Sequence, residues 1–242
     1  MTLSEKTPDP LGPGQVRIAL KAWSLNARDV MVAMGQSPAP VADVLTPLSD
    51  AAGVVSEIGD GVTRVSVGDR AVVTFNPAYQ SGAFEPWMAA HAFGEMNQGL
   101  LSGERVLDQM ALVKLPDSIS LTQASRLPCA AVTAWNALFE FGSLTPGQTA
   151  LATGTGAVAL TAMRFAKAAG ARFGLTSSNE AKLETARSMG ADFGVNYRDR
   201  ADWDQAVRDW TDGVGADVVL ETAGPPSIAT SVRAAAQNGR VA

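Results

Sequence analysis

Thr149-Ala-Leu-Ala-Thr-Gly154-Thr-Gly156-Ala157-Val158-Ala159-Leu160 is the stretch on which the fold turns. It reads as a short buried strand, a glycine turn and the start of a helix. Its spacing is G-x-G-x-x-A, the pattern of a dinucleotide-binding turn with Ala in the third place. Gly154 permits the tight turn, and Gly156 lets backbone N–H groups reach a pyrophosphate. Ala159 is small enough for the helix to pack closely on the strand. The helix N-terminus adds unpaired N–H groups and a positive dipole end. The same spacing also occurs at plain strand–helix junctions, so its surroundings decide.

Those surroundings alternate regularly. Val158 to Ala169 fits a helix stopped by Gly170, and Ala171 to Thr176 fits a second strand. Ser177-Ser178-Asn179-Glu180 is a capping cluster, followed by a helix to Met189 and a stop at Gly190. Phe193 to Tyr197 is a third strand, Asp202 to Thr211 an amphipathic helix, and Ala216 to Glu221 a fourth strand with a continuous apolar centre. Thr222-Ala-Gly224-Pro-Pro226 breaks the chain, a helix runs to about Gln237, and Arg240-Val-Ala242 begins another strand. Strands alternating with helices in this way imply a parallel, doubly wound sheet.

The second strand ends about 20 residues beyond the glycine turn, where an NAD site usually places Asp or Glu on the ribose 2′-OH. This chain has Thr176-Ser177-Ser178 there, with Lys182 one turn into the helix. Hydroxyls, helix N–H groups and a lysine suit a 2′-phosphate, so the pattern favours NADP(H). The serines also read simply as helix caps, and Glu180 argues mildly the other way.

The first 130 residues have a different texture. Gln15–Ala22, Gly53–Ile58 and Val72–Phe75 read as short strands separated by glycine turns, which suggests an antiparallel barrel-like domain. Ala27 to Met34 fits a short helix, and 82–103 has no period. Leu121–Leu127 reads as a helix capped by Ser120 or Thr122. Cys129–Phe141 reads as another, with Val132, Trp135, Leu138 and Phe139 on its apolar face. The expected boundary separates 1–129 from 130–242.

Several segments in order resemble the medium-chain dehydrogenase/reductase superfamily, in its zinc-independent, quinone-oxidoreductase-like branch. They include Ser24-Leu-Asn26-Ala-Arg-Asp29, Asp50-Ala-Ala-Gly53, Val67-Gly-Asp69-Arg, Leu127-Pro-Cys129-Ala-Ala-Val-Thr133-Ala-Trp135 and the glycine turn. Ser177-Ser-Asn-Glu-Ala-Lys182, Asn196-Tyr197-Arg198 and Glu221-Thr-Ala-Gly224 continue the likeness. The resemblance implies an α/β protein: a GroES-like β-rich substrate domain, then a Rossmann domain, with the active site in the cleft between them. It implies that Asn26 and Asp29 line the substrate side, that Thr133 sits near the nicotinamide ribose, and that the longer form is a homodimer. The implied cofactor-binding set is Thr133, Gly154, Gly156, Ala157, Val158, Ser177, Ser178, Lys182, Tyr197 and Gly224.

The departures are informative. Members of the branch often carry two glycines where this chain has Gly156-Ala157. Zinc-dependent relatives have a Cys near residue 26 and Gly-His-Glu near residue 50; here stand Asn26 and Ser49-Asp50, and Cys129 is alone. With one Cys and one His in the chain, a zinc site of the usual ligands is not expected. His91 reads as a surface or packing residue. The chain also stops where a fifth sheet strand should start. The expectation is therefore a fragment of a longer enzyme, its Rossmann sheet incomplete and the edge of strand four (Val218-Val219-Leu220) exposed.

Composition sets the remaining bounds. A net charge of −5 with dispersed lysines and arginines disfavours nucleic acid. A single Cys fits a reducing cytoplasm. No run of about 18 apolar residues suggests a membrane span. The function expected is hydride transfer between a nicotinamide and a small molecule (a quinone, enone, aldehyde or alcohol) without zinc. The alternative is a relative that binds NADP(H) and has lost catalysis. No proton donor stands out, and Asp29 and Asp50 read equally as loop hydrogen-bonders.

Overall fold

The computed structural model describes every residue except Met1, Ser4, Lys6 and Pro8. Two compact units emerge, 1–129 and 130–242.

The first unit holds β1 (Gln15–Ser24), α1 (Ala27–Ala33), β2 (Asp50–Ile58), β3 (Arg70–Val73), β4 (Glu104–Asp108), β5 (Leu112–Lys114) and α2 (Leu121–Ala124). The strands form one antiparallel sheet in the order β4-β1-β2-β3-β5. Val16, Ile18 and Leu20 alternate along β1 and bury one face with Val55, Val73, Phe93, Leu100, Leu107 and Leu112. The other face is smaller, with Ala52, Val72, Leu115 and Ala124. Sequence reading missed β4 and β5. Both are short, and Glu-Arg-Val-Leu-Asp and Leu-Val-Lys become strands through their partners β1 and β3 rather than by propensity. Asp50 is not in a loop: it opens β2 and is fully buried.

The second unit begins with α3 (Val132–Trp135), flanked by the π-helical segments Leu127–Ala131 and Asn136–Phe141. Here the expected apolar face holds at Leu138 and Phe139 and fails at Val132 and Trp135. Val132 and Trp135 are exposed, while Ala130, Ala131, Ala134 and Leu138 are buried. Each π turn adds a residue, so a period of 3.6 drifts off the buried side. There follow β6 (Thr149–Thr153), α4 (Ala157–Ala168), β7 (Arg172–Ser177), α5 (Glu180–Ser188), β8 (Phe193–Asn196), α6 (Trp203–Trp210), β9 (Ala216–Leu220), α7 (Ile228–Ala234) and β10 (Ala235–Val241). The sheet is parallel throughout, in the order β10-β9-β6-β7-β8.

The period of two explains its layers. Ala150, Ala152, Val218 and Leu220 point to one face, where α4 and α5 supply Ala159, Met163, Ala166, Leu183 and Ala186. Leu151 and Val219 point to the other, where α6 and α7 supply Trp203, Ala206, Val207 and Ala234. Helices on both faces of a parallel sheet make this a Rossmann-like unit, following a GroES-like one in the chain. Two expectations are corrected at its end. Helix α7 stops at Ala234, because Ala235 turns extended and pairs with Ala216. After a register break at Asn238 (φ 67°) and Gly239, Arg240 and Val241 pair with Val218 and Val219. The edge of β9 is therefore covered by β10.

Candidate active site

In the second unit, parallel strands carry four chain segments to one rim, the C-terminal ends of β6, β7, β8 and β9. Because β7 and β9 flank β6 on opposite sides, this rim contains the switch point at which doubly wound sheets take ligands. Gly154 has φ 102°, a conformation that a side chain would strain. Gly156 caps α4 with ordinary extended backbone, and a Cβ built on it meets nothing within 4 Å. The turn thus leaves open space at Gly156, the residue that caps α4. Ala157 is exposed beside it and Val158 half-buried.

Hydrogen bonds tie this turn to its neighbours. Gly154 N donates to Thr176 Oγ1 at 3.2 Å, and Thr155 Oγ1 lies 3.4 Å from Ser177 Oγ. Ser177 is the last residue of β7 and is buried; its Oγ accepts from Asn179 N at 3.2 Å. The helix cap is Asn179, whose Oδ1 accepts from Lys182 N at 3.1 Å. Ser177 and Ser178 are therefore not the N-cap of α5. Ser178 is half-buried, and Lys182 is exposed on the first turn. Tyr197 follows β8, is exposed, and donates its N–H to Ser177 O at 3.0 Å. Gly224 lies in the loop after β9 with φ 80°. Thr133 is exposed on α3 and lines a recess of about 520 Å³ with Asn136, Phe141 and Val241. It is in the same unit but outside the hydrogen-bonded network of the rim.

Sequence reading missed the carboxylate that organises this rim. Glu221, just past β9, accepts from Thr153 Oγ1 at 3.0 Å, Ala223 N at 2.7 Å, Gly224 N at 2.9 Å and Ser227 Oγ at 2.8 Å. Ser231 Oγ donates to its other oxygen. Burial alone would raise its pKa, but the donations from Ser231, Ser227, Ala223 and Gly224 outweigh that and hold it below the usual carboxylate value. The one available signal was a Glu closing an apolar strand, with serines at 227 and 231 beyond it.

The first unit carries a second polar cluster, around the N-terminus of α1. Asn26 N donates to Asp29 Oδ2 at 2.7 Å, while Asp29 Oδ1 and Asn26 Nδ2 are buried without partners. Burial raises the Asp29 pKa, against the Asn26 bond and nearby Arg28. Arg28 itself pairs with Glu95 at 2.5 Å, donates to Phe93 O at 2.7 Å and stands 4.7 Å from the Phe75 ring centroid. Asp50 accepts from Cys129 N at 3.2 Å and from Ser49 Oγ at 3.3 Å. Burial pushes its pKa up to about 6; the Asn26 amide lies close enough to temper this, though Nδ2 falls outside hydrogen-bond geometry. Burial and the Asp50 charge push the Cys129 thiol up to about 11. Among the described residues no three His, Cys, Asp or Glu side chains gather as a metal site. His91 is exposed and packs edge-on against Trp87 at 5.6 Å. No helix among the described residues is long and apolar enough to cross a membrane.

Known proteins carry the same pattern. Residues 12–117 match the alcohol dehydrogenase GroES-like domain, and residues 157–242 match the zinc-binding dehydrogenase family. A zinc-type alcohol dehydrogenase-like protein of Schizosaccharomyces pombe is 37% identical over 238 residues, covering 98% of this chain and 69% of the relative. Among solved structures, a putative alcohol dehydrogenase from Sinorhizobium meliloti 1021 superposes with a TM-score of 0.93 at 37% identity, covering 99% of this chain and 71% of that one. A quinone oxidoreductase from Pseudomonas syringae pv. Tomato DC3000 follows at 0.81 and 30%, covering 98% and 67%. With both domains matched in order, the chain belongs to the medium-chain dehydrogenase/reductase superfamily of NAD(P)-dependent oxidoreductases.

Proposed function

We propose that this protein is an NADP(H)-dependent oxidoreductase that moves hydride between the nicotinamide and a small electrophile, a quinone, enone or aldehyde, or the corresponding alcohol, without zinc. One observation carries the cofactor choice: β7 ends in Thr176-Ser177, hydroxyls linked to the glycine turn, where an NAD site holds a carboxylate. Lys182, exposed one turn into α5, supplies a positive charge for a 2′-phosphate. The open space at Gly156 suits a pyrophosphate on the α4 N–H groups. Tyr197, Ser178 and Gly224, on the same rim, complete the cofactor side, with Ala157 and Val158 offering their N–H groups; Thr133 is assigned to the ribose by family resemblance.

When bound, the nicotinamide supplies the hydride chemistry. The chain's own residues bind, orient and polarise. Asn26 Nδ2, beside the Asp50 carboxyl, and Asp29 Oδ1, without a partner, are both buried, and we assign them to the substrate side by family resemblance. Zinc, which the names of these relatives imply, does not suit the donor set. An amide stands at 26, and Asp50 and Cys129 leave one ligand too few for a three-ligand catalytic site. A quinone, accordingly, is the acceptor least in need of metal polarisation, and a quinone oxidoreductase is among the structures this chain resembles.

Fluorescence titration with NADPH and NADH, followed by turnover with a panel of quinones, enones and aldehydes, tests this reading. Tighter NADPH binding, turnover and far less than one equivalent of zinc by elemental analysis are the expected results. A preference for NADH overturns the cofactor assignment. Stoichiometric zinc lost together with activity overturns the metal-free one. Tight NADPH binding with no turnover of any acceptor would make the protein a non-catalytic binding relative.

A further inference from the structure

We propose that Glu221 is a positioning residue for the cofactor, holding the loop after β9 against the glycine turn so that the turn keeps its shape when empty. The inference rests on the cofactor reading above but concerns a residue outside the binding set assigned there.

The geometry is specific. Thr153 is the last residue of β6 and directly precedes Gly154, whose φ of 102° makes the turn. Both ends of the Thr153 residue are held by the β9 loop. Its carbonyl accepts from Thr222 Oγ1, and its hydroxyl accepts from Thr222 N at 2.8 Å while facing Glu221 Oε1 at 3.0 Å. Glu221 in turn fixes Ala223 N, Gly224 N and Ser227 Oγ through one oxygen and Ser231 Oγ through the other. Ser231 is fully buried in α7. One carboxylate thus joins the ends of β6 and β9 to α7, beside the crevice at which a doubly wound sheet binds its ligand. In this arrangement all five partners donate, two of them (Ala223 N and Gly224 N) being unable to do otherwise, and an ionised carboxylate has acceptor sites for them. None of the five contacts uses the N–H groups of α4, which stay available to a phosphate.

Glu221→Gln keeps the shape but loses the charge: its NH₂ either faces the Ser231 hydroxyl, which must then turn to accept, or faces Ala223 N and Gly224 N, which can only donate. The expected result is NADPH and NADH binding both weakened by about tenfold to a hundredfold, with kcat at saturating cofactor changed much less. Glu221→Asp keeps the charge with a shorter reach and should bind between wild type and Glu221→Gln. Ser231→Ala removes a single donor; it guards against a Gln variant that fails to fold and should weaken binding by about threefold. Val207→Ala, in the core on the α6 face, serves as a control for general destabilisation. Fluorescence titration with each cofactor is paired with urea unfolding of every variant. If Glu221→Gln or, should it not fold, Ser231→Ala binds like wild type, the inference is wrong. It is also wrong if Val207→Ala at comparable stability loses as much affinity, since the effect would then be merely structural. A wild-type protein that binds neither cofactor refutes the cofactor reading itself; a wild type that binds, with variants that bind equally, refutes only the role of Glu221.

Discussion

Replacing Asp50 with asparagine should change how stability depends on pH, in a direction the structure fixes. Asp50 is fully buried, and its hydrogen bonds from Cys129 N at 3.2 Å and Ser49 Oγ at 3.3 Å do not make up for lost hydration. The fold therefore prefers the protonated carboxyl, whose pKa rises from 3.8 to about 6. A raised carboxyl favours the native state below the unfolded value and loses that advantage as pH climbs through the folded one. At 1.36 kcal/mol per pH unit the full loss is about 3 kcal/mol, of which about 2 falls between pH ~4.5 and ~8. A side-chain amide cannot ionise, so the Asp50→Asn variant escapes this loss. It carries a pH-independent penalty of about 1–2 kcal/mol instead, because an amide has a single acceptor oxygen for two donors. Glu221, lowered, titrates in both proteins and cancels in the difference, whereas Asp29, also raised, is coupled to the Asp50 charge and cancels only in part. Urea unfolding of wild type and Asp50→Asn at pH values across this window measures it directly. The variant should gain about 2 kcal/mol on wild type from the acid to the alkaline end. A difference that stays flat with pH would mean that Asp50 ionises as freely in the fold as in water, and the burial argument would fail.

Three further substitutions address the rim of the parallel sheet. Gly156→Val places a branched side chain in open space, so its melting temperature should stay near wild type while NADPH affinity falls by about tenfold or more; unchanged affinity by fluorescence titration would remove the glycine turn from the phosphate site. Ser177→Asp puts a carboxylate where the 2′-phosphate is assigned and should shift the NADPH/NADH preference by about tenfold toward NADH. Lys182→Ala, an exposed contact, should weaken NADPH by roughly fivefold, ~1 kcal/mol, with NADH unaffected; equal losses for both cofactors would show that neither residue senses the 2′ position.

Much of the second unit was legible, for a physical reason. A parallel strand covered on both faces has to be apolar throughout, so Leu151 and Val218-Val219-Leu220 stand out from their flanks. Glycine turns punctuate such strands because positive φ excludes other residues, and Gly154 is the instance that matters. The first unit was less legible because its strands are defined by partners. Arg105 and Val113 belong to segments too short to show a period, and each becomes a strand on pairing across the sheet. The π turns around α3 defeated the helical period at Val132 and Trp135, since local sequence does not announce an inserted residue. Around the candidate site the backbone features, the glycine turn and the strand ends, were readable, and the side-chain network was not. Glu221 draws Thr153 from 68 positions away, a proximity created only by β6 pairing with β9.

The two carboxylates that sequence reading undervalued show why environment, not residue type, assigns the role. Asp50 and Glu221 each end up withdrawn from water, and burial pushes both toward neutrality. Asp50 receives two protein donors, at 3.2 and 3.3 Å, and its pKa rises. Glu221 receives five, four of them between 2.7 and 3.0 Å, and its pKa falls. Full burial with few, long donations raises the one, and partial burial with many short donations lowers the other. A carboxylate held by many short donations is a fixed strut, and its charge is part of the fold. One held by two long donations, titrating near pH 6, sits where a small change in surroundings moves its proton. Beside it lie the Asn26 amide, close enough to temper the Asp50 carboxyl, and Asp29 Oδ1, a buried acceptor without a partner. A bound polar ligand that pairs with Asn26 changes the surroundings that set the Asp50 pKa. Substrate binding in the first unit should thus be accompanied by proton uptake or release near pH 6, readable as a buffer-dependent binding enthalpy in calorimetry. Identical enthalpies in buffers of different ionisation heat would show that the Asp50 proton takes no part.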